Sequence, residues 1–97
     1  MIPEDVMSFI ARKFNAADRD LAASILSAAK IHDGSAASPR LIRCAAVASR
    51  GSLGQLRAEV EKLMVDWRDV IVAGEYDLLE GSLTRVRDLD DPITDDA

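Results

Sequence analysis

The chain has one cysteine, Cys44, so no internal disulfide can staple the fold. A lone thiol fits a reducing compartment. Aromatic residues are scarce, and Phe9, Phe14, Trp67 and Tyr76 are each expected to act as packing anchors. Five glycines and three prolines sit at punctuation points, which favours helices over a sheet. No apolar run approaches the ~20 residues of a membrane-spanning helix. The N-terminus, MIPEDVMSFIARKF, puts Glu4 and Asp5 ahead of its apolar part, the reverse of a secretory signal. The expectation is a soluble, cytoplasmic protein that touches no membrane. At 97 residues it has room for one core only.

Acids are absent from residues 34–58, which hold Arg40, Arg43, Arg50 and Arg57. The segment before it is nearly balanced, and the segment after it is strongly acidic, within a net charge of −5. Such asymmetry suggests a basic helix packed on an acidic one, within the chain or between two copies.

What is present is helical patterning. Pro3, Glu4 and Asp5 open a first helix over 3–14, and Arg12 and Lys13 suit its last turn. Leu21, Ala22, Ile25, Leu26, Ala28 and Ala29 give a second helix over 16–32 a face of mostly small side chains. DGSAAS, residues 33–38, is a loop. Ser38 and Pro39 then start a third helix over 39–50. Gly51 ends it, and Ser52 with Gln55 reads as a capping box. Leu53, Leu56, Val60, Leu63, Trp67, Val70 and Gly74 recur at steps of three and four, one apolar seam that Ile71 flanks. Asp66 can cap a fresh helix, so 52–65 and 66–77 are either two helices or one fused rod. Residues 77–89 fit a further helical turn or an extended arm.

The densest stretch is DWRDVIVAGEYD, residues 66–77. At ~100° per residue, Trp67, Ile71 and Gly74 continue the seam, while Val72 and Tyr76 fall on the other side. A helix apolar on two sides needs two coverings. Gly74, which costs roughly 1 kcal/mol against Ala, suggests a close backbone approach or a kink. Arg68, set among apolar neighbours, calls for a carboxylate. Arg68→Ala and Asp69→Ala are accordingly expected to destabilise the fold more than Arg57→Ala.

Signals for chemistry are thin. Asp66 and Asp69, joined by Asp77 and Glu80 if the helix runs on, could face a hard cation. No histidine spacing supports a metal, however, and His32 reads as a helix C-terminal residue. Cys44 in an alanine-rich stripe reads as a small buried hydrophobe. No phosphate loop or nucleophile elbow is present. The third and fourth helices outline a helix-turn-helix, yet Glu59 and Glu61 on the would-be recognition helix oppose binding to nucleic acid. No catalytic residue, metal or cofactor is expected.

Residues 40–77 resemble a group of small uncharacterised bacterial proteins. The likeness rests on Arg40, Arg43 and Cys44, then Gly51, Leu53 and Leu56. It continues through Asp66, Trp67, Arg68, Asp69, Val70 and Ile71 to Glu75 and Tyr76. Gly74 stands where that pattern has Ala. The resemblance implies a helical fold and no transferable activity. It also implies one polar cluster of Arg43, Asp66, Arg68, Asp69, Glu75 and Tyr76.

The sequence therefore predicts an all-α single-domain bundle of four to five helices over 1–88, with an acidic, disordered tail at 89–97. It predicts a non-catalytic helical protein–protein interaction module that associates with itself or another protein. A nucleic-acid-associated regulator using 39–65 is the alternative.

Overall fold

The structure, a computed structural model, describes residues 2–94. Helix α1 spans Glu4–Lys13 and buries Val6, Phe9 and Ile10. Its acids stand in the first turn and its bases in the last, as the helix dipole favours. Phe14, extended and buried, closes it.

A short 3₁₀ turn at Ala16–Asp18 leads into α2, Arg19–Ser27. The second helix is thus shorter than the expected 16–32. The reason is the Asp33–Gly34 turn. Asp33 Oδ1 accepts the Ser35 N–H at 2.8 Å, and Gly34 holds φ +85°. The returning chain then pairs backward, with the Ala37 N–H on the Ala29 carbonyl and the Ile31 N–H on that of Ser35. Those bonds take residues 29–31 out of the helix.

Helix α3, Pro39–Ser49, is capped by Ser38, whose hydroxyl accepts the Leu41 N–H. It is the central helix. Leu41, Ile42, Cys44, Ala45, Ala46, Val47 and Ser49 are all buried, far more than one stripe. Arg50 and Gly51 turn the chain with positive φ. A Cβ on Gly51 would overlap the Lys13 carbonyl oxygen, so this turn sits directly on the end of α1.

Helix α4 runs Leu53–Glu75 with a break at Asp66, whose backbone is extended (φ −153°, ψ 100°). Ser52 caps its start through the Gln55 N–H, while the Gln55 side chain turns away to Glu59. At the break, Asp66 Oδ1 accepts the Arg68 N–H at 3.1 Å and caps the second piece. Leu56, Leu63 and Val70 are fully buried, and Leu53, Val60 and Ile71 pack partly against the core. Trp67, expected within the seam, stays at the rim, 36 % exposed, at the first position after the break, while Val70 and Gly74 beyond it keep the seam buried.

The chain is mostly helical but not purely so. Tyr76–Leu79 (β1) and Ser82–Arg85 (β2) form an antiparallel hairpin, with Tyr76 opposite Arg85 and Leu78 opposite Leu83. Glu80 and Gly81, both at positive φ, make the two-residue turn whose twist matches the strands. This hairpin stands where the sequence allowed either a further turn of helix or an extended arm, and it moves Asp77 and Glu80 off the helical face that would have joined them to Asp66 and Asp69.

The arm that follows is packed. Leu89 and Ile93 are buried, and the Val86 N–H binds the Glu75 carbonyl at 2.8 Å. Residues 89–94 of the expected disordered tail therefore lie against the domain, held by these two apolar anchors; residues 95–97 fall outside the described residues. No helix among the described residues is long and apolar enough to cross a membrane.

Candidate functional site

The end of α4 sits on the middle of α3. A Cβ added to Gly74 would lie 2.6 Å from the Cys44 Cα, so only glycine permits this approach. The next residue, Glu75, is fully buried. Its carboxylate accepts two bonds from Arg40 at 2.8 and 2.9 Å, a third from Arg85 Nε at 3.0 Å and a fourth from the Leu89 N–H at 3.1 Å. Burial works to raise its pKa, but the Arg40 hydrogen bonds, the Leu89 N–H and the charges of Arg40 and Arg85 outweigh it and hold the carboxyl below its ordinary range. Helix α3, the hairpin and the arm thus share one anion.

A second tie lies at the other end of the arm. Arg43 donates to both Asp5 oxygens, at 3.0 and 3.2 Å, and to the carbonyls of Leu89 and Asp90. Asp5 also accepts the Ile93 N–H at 3.0 Å. Arg40 and Arg43, from the acid-free segment, therefore meet acids of the same chain.

The six residues of the expected polar cluster are divided. Glu75 is the buried centre. Arg43 belongs to the Asp5 tie. Asp66 and Arg68 pair with each other at 3.0 Å on the surface, with Arg68 74 % exposed. Asp69 is exposed nearby. Tyr76, half-buried, opens β1. Arg40, Arg85 and Asp5 were missing from that cluster. No local pattern marks them, since each acts across a tertiary contact.

Cys44 is buried in contact with Glu75, its sulfur 3.8 Å from the carboxylate. Burial and the Glu75 charge push its thiol up to about 12, which leaves it protonated at neutral pH and a poor nucleophile. His32 is exposed beside Asp66 and Trp67. No group of three or more His, Cys, Asp or Glu residues among the described residues is placed to hold a metal ion.

Among the described residues, a cleft of about 510 Å³ lies between α3, α4 and the hairpin. Val72, Tyr76, Leu78 and Leu83 form its apolar wall, and Arg50, Glu59 and Asp77 its polar part. Val72 and Tyr76, the side of α4 that lacked a covering, open onto this cleft. Trp67 separates two smaller hollows, one edged by Ile31, Leu41 and Ile71 and the other by His32, Asp66 and Arg68. Compared with protein-family models, with curated proteins and with solved structures, the chain matches none.

Proposed function

We propose that the chain is a non-catalytic protein–protein interaction module that associates with a second copy of itself through its hairpin. One observation carries the reading. Leu78 and Leu83, directly opposite across the strands, are 71 % and 59 % exposed. Val72 lines the same cleft as both, while Leu79, also exposed, faces the other side of the hairpin. Contiguous exposed apolar area of this kind marks contact surfaces. Both strands are also edge strands, because the sheet has only two. A two-stranded hairpin is marginal alone, and pairing with the same edge of a second copy gives a four-stranded sheet with a closed two-fold contact.

The helix pair at 39–65 offers a nucleic acid little. Arg40 and Arg43 are spent on Glu75 and Asp5, which leaves Arg50 and Arg57 without an ion pair among the described residues. A phosphate-binding face needs more cations gathered together. Residence in the cytoplasm belongs to the same proposal, supported by the lone buried thiol.

Light scattering after size exclusion tests the reading. The wild type is expected at twice the mass of one chain, and Leu78→Asp with Leu83→Asp at the mass of one. A wild type that stays monomeric at high concentration overturns self-association.

A further inference from the structure

Glu59 lies on the wall of the main cleft and is 2 % exposed. Its Oε1 accepts from Gln55 Nε2 at 2.8 Å and from Lys62 Nζ at 3.1 Å. Its Oε2 is buried and accepts from no protein donor, the one buried side-chain nitrogen or oxygen in that condition among the described residues. Buried polar atoms in native proteins are nearly always paired, so an exception in a cleft wall needs a physical reason. Because Oε1 is already taken, a further donor has Oε2 to bind.

We propose that this cleft binds a cationic nitrogen, an ammonium or guanidinium on an apolar stem, with Glu59 Oε2 as its acceptor. A carboxylate bonds charged donors about twice as strongly as neutral ones. The cation already present, Lys62, is half exposed, so water screens much of its charge. Asp77 adds a second acid at the cleft. Val72, Leu78 and Leu83 offer an apolar wall to the stem, and Tyr76 lines the same cleft. Arg50 is the opposing term, a like charge in the same lining. This proposal does not rest on self-association; Leu78 and Leu83 belong to both surfaces, so a second copy seated on them would compete with the stem.

The cation could come from a free amine or from a Lys or Arg side chain of another protein, and one titration separates them. Amide resonances of Ala73 and Tyr76 are followed while n-butylammonium, neutral butyramide or a short capped peptide with one arginine is added. Saturable shifts are expected with the cations and not with butyramide. Tighter binding of the peptide points to a protein source; equal or tighter binding of butylammonium points to a free amine. Glu59→Gln is expected to weaken the cation by about tenfold or more. Glu61→Gln, on the exposed side of the same helix, leaves it unchanged. Arg50→Ala tightens it. Absence of a saturable shift with either cation, equal binding of butyramide, or undiminished binding to Glu59→Gln overturns the proposal. If Glu59→Gln fails to fold, Arg50→Ala decides, and a failure to tighten overturns it.

Discussion

Gly74 and Cys44 touch backbone to backbone, and that contact sets how far α4 can close on α3. A Cβ on Gly74 would stand 2.6 Å from the Cys44 Cα and 2.8 Å from its carbonyl oxygen. No rotamer change relieves a clash with main chain. Gly74→Ala gains roughly 1 kcal/mol of helix propensity but forces the helices apart. Overpacking of this kind costs about 1–3 kcal/mol. The expected net result is a lower urea midpoint. A midpoint raised by Gly74→Ala would show that the helices are not in contact there.

The ion pairs of this fold rank by burial. Glu75→Gln leaves Arg40, Arg85 and the Leu89 N–H facing a neutral side chain. Breaking a buried pair costs ~3–5 kcal/mol, and the partial exposure of Arg40 (31 %) and Arg85 (41 %) puts this one near the lower end. Arg68→Ala, at a surface pair, is expected to leave the midpoint unchanged, which reverses the expectation drawn from sequence. Equal losses for Glu75→Gln and Arg68→Ala would refute the ranking.

Acid should free the arm. Burial alone would raise the pKa of Asp5, yet the Arg43 and Ile93 hydrogen bonds bring it below its ordinary 3.8, and Glu75 likewise lies below its ordinary 4.5. A carboxylate with a folded pKa below its unfolded value adds stability that is complete above the unfolded value. That stability is lost as pH falls through the folded one. The arm is therefore fully tied at neutral pH and loosens progressively below about pH 4. Hydrogen exchange measures this directly. The Leu89 and Ile93 amides should lose protection on acidification before the core of α3 does. Protection that persists together with α3 down to pH 2 would contradict it.

Much of the helical frame is written in local chemistry. Ser38 with Pro39, and Ser52 ahead of Gln55, cap their helices where the sequence places them. The break at Asp66 was legible too, because a carboxylate that can cap a helix competes with helix continuation. Gly74 was legible as either a close approach or a kink, and the structure gives the approach, onto Cys44. The hairpin was not. Its turn, Glu80–Gly81, lies beside Leu78 and Leu79, which suit a helix equally well, and only the left-handed backbone at Glu80 decides the matter. The arm was hidden by its composition, since five aspartates in the last ten residues suggest a solvated tail, while its anchors are the buried Leu89 and Ile93 and hydrogen bonds to Glu75, Asp5 and Arg43 that no local pattern marks. Glu75 stood out in the sequence, but its partner Arg40 lies 35 residues away, a pairing that only folding reveals.

The bond from the Ile93 N–H to Asp5 spans 88 residues. A ribosome delivers α1 early and the arm late, so Glu75 waits with incomplete partners until residue 89 has been made and Asp5 until residue 93. The nascent helices can collapse on one another, but the structure cannot lock. Contacts of such long range also slow folding. Any factor that captures the arm first, or cuts it, would hold the chain in that unlocked form.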